Sequence, residues 1–391
     1  MRDEKRRPKS KQKKPPRSIE EHVMRKMSLG VSELVSPAWC EYAYQYNVLF
    51  QSHLPLSMRP LTITTPRGTV MEPDWSSMEQ KEAVMEKGSA IHEDIERDVL
   101  PVQVSIRVET REDEWALLLL QFATGLYILQ TSGRTREVPV FGVIHGKLIR
   151  GIIDELHLDE RGEIVLLETK TRSSATIPSR IDQQQAHWQC MIYRRLLVSM
   201  AATWHCALED SASTLDLAVI WETFHIRMDI PLTNAFVEDL ERMVHRVDTP
   251  WERGHLAPDL TLQHVMDMVK TTLRGIHRRM APMMKIVYMR RDTAEALQSV
   301  SVTNNKPALD DFLDKTFALL DGKREPEGVA VASTNRCDSC AWRNDCEWRD
   351  DMAKAAQKRG LRRSFERRGH GDDDEQLWAQ FDEKDLLNLD W

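Results

Sequence analysis

Long apolar runs are missing from this chain of 391 residues. The longest, Ala116 to Leu129, is too short to cross a membrane and is broken by Gln121, so it reads as a buried helix. Cysteine is scarce, six in all, which excludes a disulfide scaffold. No secretory signal is evident either, and an intracellular, disulfide-free protein with no membrane partner is expected. There is no G-x-x-x-x-G-K-[ST] loop, so no built-in nucleotide-driven motor is expected. No internal repeat is found, which sets solenoids aside.

A strong net charge is also lacking: the sum is -7. Its distribution says more. Residues 1–17 carry nine Lys/Arg against two acids, and residues 354–368 carry seven against one. Asp372, Asp373, Asp374 and Glu375 then open an acidic tail. Such blocks are usually solvated arms, and some bind polyanions. The expected layout is a basic arm over 1–20, one large domain over 21–350, a basic extension over 351–371 and the acidic tail over 372–391. The tail holds L-W-A-Q-F and L-L-N-L-D-W among its acids, which suggests a docking peptide for a partner protein. The Lys-rich first arm resembles a nuclear basic patch more than a transit peptide, so nucleus or mitochondrion is the expected compartment.

Four of the few cysteines are placed with purpose. Cys337, Cys340 and Cys346 stand with two and then five residues between them, and Cys40 stands alone near the start. Three thiolates on one tight loop cannot close a tetrahedral site, so a fourth ligand has to come from elsewhere, and Cys40 in S-P-A-W-C-E-Y is the best-placed candidate. Zinc and an iron–sulfur cluster both suit such a set. The plainer alternative is three ordinary cysteines in a loop. Cys190 and Cys206 lie in apolar helical surroundings and read as core residues.

Periodicity predicts helices over Leu29 to Gln51, Ser77 to Leu100, Glu114 to Gln130 and Ser179 to Met200, with 52–76 as loop. Strands are predicted over Glu137 to Phe141, Lys147 to Leu158, Glu163 to Thr169, Leu215 to Ile226 and Met284 to Arg290. Helices before and after a small central sheet predict an α/β domain with a helical elaboration.

The hairpin G-I-I-D-E-L-H-L-D-E-R-G-E-I-V-L-L-E-T-K carries the chemistry. Asp154 and Glu168 are equally distant from Arg161 at its turn, so pairing around that residue sets the carboxylates face to face, with Cα atoms about 5 Å apart. Lys170 lies two residues beyond Glu168 and shares its face. Two such acids repel each other unless a cation lies between them, and hard oxygen ligands suit Mg²⁺ or Mn²⁺. A metal there lowers the pKa of a bound water and offsets charge on a phosphate. A solvated ion-pair cluster is the alternative. The apolar flanks Ile152-Ile153 and Val165-Leu166-Leu167 argue against it, since such strands are buried on both faces. His92, upstream on a helix, is a candidate further ligand.

Together these residues resemble a known pattern. Asp154, Glu168-Thr169-Lys170, the G-x-x-x-H of Gly88 to His92 and the Q-x-x-x-Y of Gln189 and Tyr193 resemble the RecB-like branch of the PD-(D/E)XK nucleases. One cysteine before that core and three after it resemble its iron–sulfur members. S-E-L-V-S-P-A-W-C-E at 32–41, G-I-I-D-E at 151–155, E-T-K-T-R at 168–172, G-K-R-E-P-E-G-V at 322–329 and C-E-W-R at 346–349 resemble the exonuclease V (defects-in-morphology) family. The resemblance spans roughly residues 30 to 350 and leaves out both arms and the tail. It implies a restriction-endonuclease-like α/β core with a C-terminal iron–sulfur region, and a metal-dependent exonuclease acting on single-stranded DNA in genome maintenance. By the same resemblance Asp154, Glu168, His92 and the Thr169 carbonyl bind Mg²⁺ or Mn²⁺, and Lys170 is the catalytic lysine. Gln189 and Tyr193 line the site, and Cys40, Cys337, Cys340 and Cys346 hold a [4Fe–4S] cluster. A monomer is expected, with a single-strand-binding or other repair protein as partner of the tail. The alternatives are a structure-specific DNA or RNA endonuclease, and a non-catalytic zinc or iron–sulfur DNA-binding scaffold.

Overall fold

A computed structural model describes residues 15–99, 106–206, 208–209, 213–244, 250–251 and 259–367, with the side chains of 88–99 and 360–367 left out. The acidic tail and most of the N-terminal basic arm lie outside the described residues. The chain opens with α1 (Ile19–Met24), β1 (Ser28–Gly30), α2 (Val31–Val35) and α3 (Glu41–Leu49). The short pair β2 (Ile63–Thr64) and β3 (Val70–Met71) precedes the helices α4 (Trp75–Val99) and α5 (Arg111–Ser132). Then come β4 (Arg134–Ile144), β5 (Lys147–Leu158), β6 (Ile164–Arg172) and α6 (Gln184–Thr203). The helices α7 (Leu217–Phe224), α8 (Asn234–Val244) and α9 (Leu262–Leu273) lead to β7 (Met283–Arg290) and β8 (Ala296–Thr303). The last described elements are α10 (Lys306–Leu320) and α11 (Glu347–Arg367).

The main sheet is mixed and has helices packed on it, in keeping with an α/β class. β4 pairs antiparallel with β5 along one edge, while the other edge of β5 is shared. Near its start, residues 148–150 pair in parallel with β1, and near its end residues 155–158 pair antiparallel with β6. Between these two partners, residues 151–154 of β5 pair with neither on that edge. The sheet therefore opens a fork beside Asp154. β6 continues past the fork in parallel with β7, and β8 closes the sheet against β7.

Glycine at 151 is required by this fork. A Cβ there would lie 2.5 Å from Tyr193 Cε1 and 2.8 Å from Val31 Cγ2. Gly151→Ala is therefore expected to cost about 1–3 kcal/mol through overpacking and to push Tyr193 out of place. A thermal melt checks the cost, and an unchanged melting temperature would contradict the close approach.

Two predicted elements are corrected. Leu215 to Ile226 is not a strand: Leu217–Phe224 is a helix, capped by the Asp216 side chain, which accepts from Val219 N at 3.0 Å. Ile220 and Trp221 are buried, and Leu217 and Phe224 pack on the same core, a helical spacing that a short apolar run conceals. The segment Leu29 to Gln51, expected to start a core helix with Ser36-Pro37 as its N-terminal signal, holds more than that one helix. Residues 28–30 join the sheet as β1, α2 ends at Val35, and a 3₁₀ turn over Ser36–Ala38 bends the chain at Pro37 before α3. Cys190 and Cys206 are fully buried in the core.

Among the described residues there are two cores. The larger lies around the sheet and α5, α6 and α9. The smaller joins Tyr42, Tyr46, Leu49, Phe50, Ile63, Met71 and Met78 to Cys340, Ala341, Trp342 and Cys346. Trp342 meets Phe50 edge-on at 5.2 Å between ring centroids, and its indole donates to Asn47 Oδ1 at 3.0 Å. Thr65 donates to Glu347 Oε1 at 2.6 Å, and both residues are buried. Arg324 grips Glu41 with two bonds of 2.6 Å each. The two distant ends of the chain thus form one unit.

Candidate active site

The predicted carboxylates meet at the fork. Antiparallel pairing ends at Glu155↔Leu167, and continuing it by one step sets Asp154 opposite Glu168, the register expected from the turn at Arg161. There the ladder gives way to a side chain, because Thr169 N donates to Asp154 Oδ2 at 2.7 Å. Glu168 is only 2% exposed, and Lys170 Nζ donates to its Oε1 at 2.6 Å. Lys170 also donates to Gln189 Oε1 at 2.9 Å, and Gln189 Nε2 donates to the Tyr193 hydroxyl at 3.2 Å. A single chain of contacts thus links two acids, one amine, one amide and one phenol from three elements.

Glu168 Oε2 is buried and has no hydrogen-bond partner among the described residues. A carboxylate oxygen in that position is costly unless a cation or a proton answers it. Burial pushes the Glu168 pKa well above the carboxylate range, outweighing the ammonium of Lys170, and the charge of Asp154 adds to the rise. For Lys170 burial works the other way, but the charge of Glu168 prevails and holds its pKa above the usual value. Burial and then Glu168 raise the Tyr193 pKa, so the phenol keeps its proton at neutral pH.

Stability should follow pH accordingly. Because the folded pKa of Glu168 lies above its unfolded one, its contribution is full below the unfolded value of about 4.3 and is lost as pH climbs through the raised folded value. In EDTA, the wild type is therefore expected to lose melting temperature relative to Glu168→Gln as pH rises from about 4 to about 8. A constant difference between the two proteins would contradict the raised pKa.

Glu137 was missed by sequence reasoning. The pairs Arg136↔Glu155 and Val138↔Ile153 flank it, leaving Glu137 and Asp154 out of the ladder between them. Its backbone is left-handed, with φ at +49°, a strained state for a non-glycine residue. Its charge also reaches Glu168. The one sequence signal was an acid directly before the apolar stretch V-P-V-F. Arg172 was within reach of sequence reasoning, since alternation along β6 puts it on the face of Glu168 and Lys170. His92 lies on α4, and its side chain is outside the described residues.

The four cysteines gather around one small space, bordered also by Arg336, Arg343 and Arg349. Cys40 caps the start of α3, Cys340 N donates to Cys337 O at 3.0 Å, and Cys346 directly precedes α11. Burial raises the Cys40 thiol to about 11, with Cys340 and Cys346 adding to the rise. Among the described residues, no three His, Cys, Asp or Glu side chains are drawn together closely enough to chelate one ion.

Arg336 connects this region to the fork. Its guanidinium donates to Trp39 O at 2.9 Å, Ile181 O at 2.8 Å and Asp182 Oδ1 at 2.8 Å. It thereby joins the residue before Cys337 to the residue before Cys40 and to the segment that leads into α6. Nothing in the sequence marks Arg336 among the other arginines.

Residues 74–163 and 159–349 match the pattern of the family described as Exonuclease V, a 5′ deoxyribonuclease. The protein named Exonuclease V from Danio rerio is 24% identical over 325 residues, covering 83% of this chain and 71% of that one. The crystal structure of SSO0001 overlays 84% of this chain and 93% of its own with 11% identity and a TM-score of 0.34, too slight a likeness to carry an argument.

Proposed function

This chain belongs to the exonuclease V family and is a DNA exonuclease, and on that premise we propose that it degrades single-stranded DNA with Mg²⁺ or Mn²⁺ at Asp154 and Glu168. The observation that carries this reading is the buried Glu168 Oε2 without a hydrogen-bond partner among the described residues, beside a second carboxylate and an amine. The donor set fits a hard divalent cation: two carboxylates and the Thr169 carbonyl, with His92 as a further ligand. When bound, such an ion lowers the pKa of a water and offsets charge growing on the phosphate.

The chain's own residues supply the rest. Thr169 N holds Asp154 in one orientation through its 2.7 Å bond. Lys170, anchored by Glu168 and Gln189, presents its ammonium to the reacting phosphate and orients the attacking water. Tyr193 fixes the Gln189 amide, and so the amine, from one turn further along α6. The fork in the sheet is read as a PD-(D/E)XK core.

A [4Fe–4S] cluster is proposed at Cys40, Cys337, Cys340 and Cys346. One zinc ion would draw four sulfurs in at about 2.3 Å each. The four thiols share one cavity, and the three arginines around it suit the negative charge of a thiolate-bound cluster. The role proposed is genome maintenance in the nucleus or mitochondrion, with the acidic tail docking a repair partner.

The test is anaerobic purification, a visible spectrum, and digestion of end-labelled linear and circular single strands with and without Mg²⁺. Metal-dependent loss of the linear strand, with the circle intact, is expected. Cleavage of the circle would favour the endonuclease alternative, and no metal-dependent hydrolysis would favour the scaffold. Deleting residues 1–17 should also flatten the salt dependence of binding, by about 0.7 in log–log slope for each phosphate that the arm neutralises. An unchanged slope would assign that arm to targeting instead.

A further inference from the structure

Beside Lys170 lies a cavity of about 310 Å³, lined among others by Arg172, Asp182, Gln185, Gln189 and Tyr288. Its volume is at the small end of the range for ligand clefts. Arg172 follows Lys170 by two residues on β6, so the two side chains leave the strand on one face about 6.6 Å apart. Tyr288 is opposite Lys170 in the parallel register of β7.

Two groups in this cavity make no side-chain hydrogen bond among the described residues, although the charge of Arg172 acts on both Asp182 and Tyr288. The half-buried Arg172 guanidinium makes no hydrogen bond or ion pair among the described residues. The nearby carboxylate of Asp182 is already engaged by Arg336 Nε at 2.8 Å and by the Ser179 hydroxyl at 2.7 Å. Tyr288 has its ring buried, at 3% exposure, while its hydroxyl borders the cavity and makes no hydrogen bond among the described residues. A guanidinium and a phenol on one cavity, both with donors not used in hydrogen bonds among the described residues, form a donor set for an anion, and guanidinium donors match phosphate oxygens in geometry.

We propose that Arg172 and Tyr288 form a subsite for a phosphate of the substrate strand next to the one being cut, each donating to its non-bridging oxygens. The inference rests on the reading of Lys170 as facing the scissile phosphate. One step along β6 is comparable to the distance between neighbouring phosphates of an extended strand. The ligand is either an internal phosphodiester or a 5′-terminal phosphate, and both present the same oxygens.

The experiment uses the full chain carrying Asp154→Ala, and titrates labelled oligothymidylates bearing a 5′-phosphate or a 5′-hydroxyl across a range of salt. Adding Arg172→Ala should weaken binding about ten- to a hundredfold and lower the slope of log K on log salt by about 0.7. Arg172→Gln, which retains length and polarity, should lose the same slope even if the alanine variant folds poorly. Tyr288→Phe should weaken binding less and leave the slope unchanged, since no charge is removed. A loss confined to the 5′-phosphorylated strand identifies a terminal phosphate, and an equal loss on both identifies an internal one. In the active protein, Arg172→Gln should raise KM far more than it lowers kcat. Unchanged affinity and slope in both Arg172 variants would overturn the subsite. Hydrolysis surviving in Asp154→Ala would instead overturn the active-site reading on which it rests.

Discussion

Asp154→Ala and Glu168→Ala are each expected to slow DNA hydrolysis by at least about a thousandfold, equivalent to about 4 kcal/mol of transition-state stabilisation. Single-strand binding should survive. Both changes remove side chains and leave the backbone pairing of β5 and of β6 with β7 in place, and removing a negative charge eases the approach of DNA. Glu168→Ala has a second expected effect: it removes the 2.6 Å partner of Lys170 and with it the strongest interaction orienting that amine. Lys170→Ala should leave metal affinity in place and lower the chemical step alone. Rates in a quenched-flow assay with end-labelled DNA separate these cases. Wild-type rates in any of the three variants would end the assignment.

The second large effect is expected at the cysteines. Changing Cys40, Cys337, Cys340 or Cys346 to Ser should bleach the protein, make it aggregate and abolish nuclease activity, although Asp154, Glu168 and Lys170 remain. By analogy with a covalent cross-link, tying residue 40 to residue 337 removes about 5–6 kcal/mol of unfolded-chain entropy, comparable with the whole stability of a domain. The physical route to the fork is Arg336. If the cysteine loop comes apart, its guanidinium leaves Ile181 O and Asp182, and the lead-in to the helix carrying Gln189 and Tyr193 is freed. Arg336→Ala should therefore reproduce part of the loss while keeping the visible absorbance. Metal analysis, spectrum and activity on one preparation check this. A colourless Cys40 variant with full activity would refute the clamp, and a fully active protein with one zinc and no iron would refute the cofactor.

Legibility in the sequence followed how local the physics was. The hairpin from Lys147 to Arg172 could be read because its turn, its apolar flanks and its charged pair all lie within one short stretch. The helix at Leu217–Phe224 could not, since L-A-V-I-W is as apolar as a buried strand, and what decides is the Asp216 cap together with the core it meets. β8 gave no signal: Val302 is its one buried residue, and β7 supplies its pairing. β1 joins the sheet beside residues 148–150, a long-range pairing that three residues cannot announce. At the site, Asp154, Glu168 and Lys170 were legible from alternation. Glu137, Tyr288 and Arg336 were not, because each reaches the site through a tertiary contact.

The smaller core also bears on how the protein is made. Its aromatic face, Tyr42, Tyr46 and Phe50, is completed by Trp342, close to the end of the described chain. A ribosome adding about 5–20 residues per second leaves those rings without their partner for roughly 15–60 s. Through that interval the aromatic face lacks its cover, and this stretch is a natural client for a holding chaperone. A nascent chain halted before residue 340 should be cut by protease within 39–78, while the same bonds in the released protein should resist.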